Sequence, residues 1–315
     1  MKKTMIGGQA VMEGVMMKNR DVYAVAVRKP DKEIEVIKGE YKSLSERNRL
    51  LNLPVIRGVI AFGESLYIGM KTLSLSAEFY EEAEEEKEPG KLEKALTGLF
   101  GEKLDGLMIG ATVAVSIVLA VGIFMILPFW LAHLLKGLIS SYVVRTLIEG
   151  LIRVGIFLLY LVLITRMEDI KRVFMYHGAE HKTINCLEHG EDLTPENVMH
   201  HSRLHRRCGT SFMLVVMIIS ILVFLLIRTD TLFLRVLLRI LLVPVIAGIS
   251  YEFIRLAGRS SNPLVCQLSR PGMYLQYLTT REPDRDMVEV AIRSVESVMD
   301  WKAYLKAMRA GELED

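Results

Sequence analysis

Leu107–Leu135 contains no Asp, Glu, Lys or Arg. A helix needs about 20 apolar residues to cross the hydrocarbon core of a bilayer, so this run reads as a membrane span. Few architectures are open to such a chain. Within lipid every backbone N–H and C=O must be satisfied internally, which leaves helices and closed barrels. Three more runs of helical length follow, at about Val143–Thr165, Cys208–Ile227 and Val236–Tyr251. Pro128 is expected to kink or end the first span, and Pro244 lies inside the fourth. The expected fold is mainly α: a polytopic bundle of about four transmembrane helices.

Composition agrees once its distribution is considered. The chain is 51% hydrophobic and yet 24% charged. The two figures are compatible because the charges are segregated: residues 1–106 and 258–315 are polar, and 107–257 is mostly apolar. This gives three expected regions: an N-terminal region at 1–106, a four-span membrane domain at 107–257 with a polar loop at 166–207, and a C-terminal segment at 258–315. The net charge of +2 and the lack of basic stretches interleaved with aromatics give no case for nucleic acid. Glu13 interrupts the start before an apolar core forms, so no cleaved signal peptide is read.

Lys and Arg in the loops set the expected orientation. The 166–207 loop carries Arg166, Lys171, Arg172, Lys182, Arg203, Arg206 and Arg207, while the short loops carry Lys136 and the pair Arg228 and Arg235. The long basic loop is therefore expected in the cytoplasm of a multi-pass cell-membrane protein. With four spans both termini join it there, and a reducing compartment keeps the three cysteines, Cys186, Cys208 and Cys266, as thiols.

In the N-terminal region, Val22–Arg28 and Glu33–Gly39 alternate around Pro30-Asp31-Lys32, which predicts a β-hairpin. Pro54–Ser76 is mostly apolar, with Arg57, Glu64 and Lys71 on one narrow stripe. It is expected to be a helix in the membrane interface or packed on the bundle. Residues 78–94 are acidic and read as a solvated linker. At the other end, one helix is expected from about Asp284 to Ala310. Glu149 and Arg153, four apart within the second span, are expected to neutralise each other, whereas Arg239 and Glu252 could mark a polar cavity.

The chemistry concentrates in the basic loop, where six of the seven histidines lie between His177 and His205. In His177-Gly178-Ala179-Glu180-His181 the two imidazoles are four apart and share a helical face, so both can reach one metal ion. Glu180 lies beside them and could take a proton from metal-bound water, as in the inverted zincin pattern. Thr194-Pro195-Glu196 reads as a helix start. The helix expected to follow places His201, His205 and Cys208 on one stripe. His177, His181, His205 and Cys208 together would form a closed tetrahedral N/S site suited to zinc; three of them with water would form an open, catalytic one. The competing reading is a set of surface histidines. A further candidate binding element is Gly7–Met17. There Gly8 allows close approach, and Gln9 and Glu13 are polar groups in an apolar run, available to a substrate or to the surroundings of the metal. The alternative is a packed strand and turn.

The strings GGQAVMEGVMM (Gly7–Met17), HGAEHKTINC (His177–Cys186), CGTSF (Cys208–Phe212) and LTTREP (Leu278–Pro283) together resemble the bacterial YqhQ-like family of uncharacterised membrane proteins. The resemblance covers nearly the whole chain. It implies the membrane topology above and carries the label of a metal-dependent enzyme. Where members often read His-Pro-Arg-Cys, this chain has His205-Arg206-Arg207-Cys208, which leaves His205 and Cys208 in place. Two functions are compatible with these readings. One is a membrane zinc hydrolase with Glu180 as base. The other is a non-catalytic membrane factor, held together by zinc, that binds another integral membrane complex such as one in protein export or quality control.

Overall fold

The computed structural model describes residues 4, 6–81, 104–227, 229, 231–259 and 262–312. The expected acidic linker lies largely outside these residues. The chain divides into two compact units. One comprises Met1–Glu81, Leu161–Ser220 and Leu241–Asp315; the other comprises Glu82–Tyr160 and Ile221–Ile240.

The first unit is built on a four-stranded antiparallel sheet in the order β1-β2-β3-β4: Ile6–Val11, Gly14–Asn19, Val22–Arg28 and Ile34–Glu40. The expected hairpin is its second half. Its first half, β1 and β2, corrects the reading of an isolated hairpin: the glycine-containing run is two paired strands, with Val11 opposite Gly14. Alternation explains why β3 sits inside. Tyr23, Val25 and Val27 point to one face, and the small Ala24 and Ala26 to the other. After the single turn α1 (Leu44–Arg47), α2 (Ile56–Glu81) covers the large-residue face with Ile68, Leu75 and Phe79. Three more helices cover the opposite face: α6 (Glu168–Glu188), α7 (Pro195–His200) and α11 (Arg285–Val298). α11 comes close because the β3 side chains beneath it are small; Ser294 Oγ donates to the Ala24 carbonyl at 3.0 Å. The expected C-terminal helix is broken. Asp300 caps a separate α12 (Trp301–Ala310) by accepting the Ala303 N–H at 2.9 Å.

Among the described residues, three helical stretches are long and apolar enough to cross a membrane: Gly110–Gly137, Tyr142–Ile164 and Phe233–Ala257, with mean hydropathies of 2.5, 2.3 and 2.1. The first takes in most of α3 (Leu104–Val121) and all of α4 (Leu127–Leu134), the second is α5 (Tyr142–Ile164), and the third lies in α9 (Leu232–Arg259). The remaining expected span is the shorter α8, Gly209–Leu225, 17 uncharged residues and about 26 Å long. α10 (Pro263–Thr279) completes the set.

In the second unit Pro128 does not end the first span, whose helical stretch runs on to Gly137. A π-helical turn, Gly122–Ile126, precedes the proline. Proline has no N–H to give the carbonyl of Phe124, four residues back, and Arg153 Nε donates to that oxygen instead at 2.9 Å. Arg153 also reaches Glu149 at 2.8 Å, the expected pair. Arg239, expected to mark a polar cavity, joins them: its guanidinium binds both Glu149 oxygens. The Phe224 ring lies 5.1 Å from the Arg153 and 4.8 Å from the Arg239 guanidinium carbon. Glu252, the other residue expected to mark a cavity, holds Arg57 in the first unit through two hydrogen bonds of 2.6 and 2.5 Å.

Candidate metal centre

α6 presents an apolar face to the sheet and a polar face that is also buried, which includes Glu180, His181, Lys182, Asn185 and Glu188. Buried polar groups need partners, and the partners here shape the site. Lys182 Nζ donates to the carbonyls of Met199 (2.9 Å) and His201 (2.8 Å). Asn185 Nδ2 donates to those of Ser202 (2.6 Å) and Leu204 (3.0 Å). Gln276 of α10 binds both the N–H and the carbonyl of His205, at 2.9 and 2.8 Å. These side chains take the backbone groups that a helix would use. α7 therefore ends at His200, and residues 201–208 are irregular. The expected helical stripe of His201, His205 and Cys208 does not form.

The irregular segment delivers Cys208 to the start of α8. There the Thr210 N–H points at Sγ (3.4 Å) and the Thr210 hydroxyl lies 3.0 Å away. Hydrogen bonds to sulfur and the positive end of a helix both favour thiolate. Two imidazoles face it from α6. His177 Nδ1 donates to the Thr279 carbonyl at 2.8 Å and His181 Nδ1 to the Arg203 carbonyl at 2.6 Å. A carbonyl can only accept, so each ring carries a proton on Nδ1, which leaves Nε2 as the nitrogen turned toward the sulfur. Burial holds the His181 pKa below its ordinary value, which favours the neutral ring. His177 Nε2 is 3.2 Å from Cys208 Sγ, and the ligand atoms of His177, His181 and Cys208 all lie within 4.8 Å of one another. His181 Nε2 is buried with no hydrogen-bond partner. Two oriented imidazoles and a thiolate-favouring sulfur around an orphaned nitrogen fit a zinc-like cation.

His205 stands apart from this group. Its Nε2 turns to Glu188 Oε2 at 3.3 Å, and Glu188 also receives Arg207 and the Thr4 N–H (3.0 Å). Glu180 lies on the same helix and is buried. Burial pushes its pKa up to about 8, against the pull of His177 and with a smaller push from Cys208, and its Oε2 has no partner. Gly8 of β1 lies against this carboxylate: a Cβ there would sit 2.8 Å from Glu180 Cδ. Gln9 points through the other face of the sheet, where its amide lies against Gly69 of α2. Glu13, in the β1–β2 turn with φ 47, is bound by the Arg172 guanidinium and by the Tyr176 hydroxyl at 3.2 Å. So of the three N-terminal candidates, Gly8 reaches the centre while Gln9 and Glu13 fix the sheet to its helices.

Reasoning by residue type misses the groups that aim the ligands: Thr210, Lys182, Asn185, Gln276, and the carbonyls of Arg203 and Thr279. Most lie inside or beside the strings HGAEHKTINC, CGTSF and LTTREP, which was the available signal. Gly178 belongs with them. A Cβ there would lie 2.0 Å from the Arg281 carbonyl oxygen. Gly178→Ala is expected to cost about 1–3 kcal/mol by overpacking and to displace the Thr279 carbonyl that aligns His177. Thermal unfolding and metal content of the purified variant check both effects.

The family described as "Protein of unknown function (DUF1385)" matches residues 53–301. The uncharacterised protein YqhQ of Bacillus subtilis (strain 168) is 38% identical over 298 residues, covering 94% of this chain and 93% of that protein. No solved structure matches. With a match over most of its length to the family and to a relative alike, this chain belongs to the DUF1385 family.

Proposed function

We propose that this is a membrane-embedded zinc hydrolase that works at the cytoplasmic face. His177, His181 and Cys208 would hold the metal, and Glu180 would serve as general base. The observation that carries this reading is the diversion of His205 to Glu188. It leaves three protein ligands and one open coordination position, the pattern of catalytic rather than structural zinc. A bound zinc would supply an acidified water. The chain's own part is to orient the imidazoles, hold the sulfur at the helix start, and keep a carboxylate of raised pKa beside them. The burial of Glu180, His181 and Cys208 favours the second reading, a non-catalytic membrane factor whose zinc fastens this layer for binding to another membrane complex. Glu180→Gln separates the two, read as metal content together with complementation of a deletion strain.

The compactness of the first unit supports the topology proposed with this function. The sheet packs on both α6 and α11, so all three lie on one side of the bilayer. The chain must then cross an even number of times between α2 and α6, and again between α7 and α11. α3–α4 with α5 satisfies the first interval. In the second, α9 needs a partner, and α8 is the apolar helix available, despite its length. The basic 166–207 loop assigns that side to the cytoplasm. Cysteines introduced at residues 185–195 and at both termini are expected to resist an impermeant thiol reagent added outside intact cells. Labelling of the 185–195 positions would reverse the assignment.

A further inference from the structure

The last turn of α6 carries a second cluster that the proposed centre does not use. Cys186 is fully buried, and its thiol donates weakly to the Glu191 (3.8 Å) and Asp192 (3.6 Å) carbonyls of the loop that follows the helix. Gly190, with φ 83, turns that loop back, and the Glu191 N–H donates to the Cys186 carbonyl at 3.2 Å. Arg309 of α12 fastens the loop by donating to the Gly190 carbonyl (2.9 Å) and to Asp192 (2.8 Å). From the other side comes His201, at the end of α7, its carbonyl held by Lys182. His201 Nε2 lies 3.3 Å from a Glu191 carboxylate oxygen. The two are not aligned for a hydrogen bond, so this nitrogen is buried without a partner. The ligand atoms of Cys186, Glu191 and His201 lie within 4.8 Å of one another. His189 stands beside them: its Nδ1 donates to the Asn185 carbonyl at 2.7 Å, and its ring centre is 5.0 Å from that of His201.

We propose that Cys186, Glu191 and His201 form a second site for a thiophilic divalent cation such as zinc, distinct from the His177–His181–Cys208 group. A surface His–Glu pair alone would not require a thiol beneath it or leave Nε2 misaligned. A cation at this point gives the unpartnered nitrogen a partner beside the Glu191 carboxylate, and its sulfur donor is a thiol that otherwise makes only weak contacts to the Glu191 and Asp192 carbonyls; S, N and O donors are those zinc accepts. Water can supply the fourth position. Glu191 is half exposed, so this site faces solvent and exchanges its ion more readily than the buried one. On binding, the Cys186 thiol gives its proton to solvent and exchanges its weak contacts to the Glu191 and Asp192 carbonyls for the bond to the cation. The two sites share the 199–205 segment, which Lys182 and Asn185 grip between them.

Cobalt(II) titration of the full chain, purified in detergent without a histidine tag, tests the proposal, because each cobalt–thiolate bond adds a charge-transfer absorption. The wild-type chain is expected to take two equivalents, each with such a bond. Glu191→Gln, on an exposed side chain, and Cys186→Ala should each remove the second equivalent and keep the first. Cys208→Ala should do the reverse, so failure of the proposed centre and failure of this site give different spectra. The proposal is overturned if Glu191→Gln and Cys186→Ala leave stoichiometry and absorption at wild-type levels. It is equally overturned if Cys208→Ala protein with intact helical circular dichroism shows no cobalt–thiolate band.

Discussion

Cys208→Ala and His181→Ala are each expected to weaken zinc binding at the Cys208 centre by more than the roughly 10- to 100-fold that the outer partners of metal ligands typically contribute. Each change removes one of the three ligands. The Thr210 hydroxyl, 3.0 Å from the sulfur, is a poor zinc ligand. His205 is committed to Glu188, and its backbone is clamped by Gln276. His205→Ala therefore serves as the informative control. A four-ligand site would lose metal with it, whereas the three-ligand site retains it, since the Gln276 clamp acts on the backbone and survives the substitution. Metal analysis of the Glu191→Gln background, in which the second site is disabled, reads this centre alone. Full zinc retention in both Cys208→Ala and His181→Ala would remove these residues from the coordination sphere.

The second large effect is expected at Glu180. A general base contributes roughly 100- to 10,000-fold to rate. Glutamine has the same shape and cannot accept a proton as a carboxylate does. Because Glu180 is absent from the ligand group, Glu180→Gln should keep zinc, fold and membrane insertion. It should nevertheless fail to complement a deletion strain. The buried site also tolerates the amide well, since a neutral side chain replaces a group that burial already disfavours in its charged form. If Glu180→Gln complements fully with normal zinc, the hydrolase reading falls and the scaffold reading stands.

Much of the architecture was legible in the chain because charge is excluded from lipid at a cost of several kcal/mol per group. Leu107–Leu135 announces itself by what it lacks. The β3–β4 hairpin was legible through its alternation. β1 and β2 were not, because Gly7, Gly8, Gln9 and Glu13 break the alternation that marks a strand: Gly8 has no side chain where Glu180 needs room, and Gln9 packs against a glycine of α2. The i, i+4 spacing of His177 and His181 carried its meaning through, since α6 is a helix there. The same spacing from His201 to His205 misled. Lys182, Asn185 and Gln276 pull the backbone out of the helix, and no pattern local to 201–208 encodes that. The orienting acceptors at Arg203 and Thr279 are main-chain atoms, so residue identity is silent about them. Arg239 could be read as a buried charge but not as the partner of Glu149, because 90 residues separate them in the chain.

The central claim is that three protein atoms hold the metal and leave one position open. Zinc-edge X-ray absorption of Glu191→Gln protein carrying one equivalent of zinc tests it most directly, because it counts sulfur and imidazole neighbours separately. The account expects one sulfur at about 2.3 Å, two imidazole nitrogens at about 2.0–2.1 Å and one oxygen contributed by water. A shell of one sulfur and three imidazoles, or a shell with no sulfur, would contradict it.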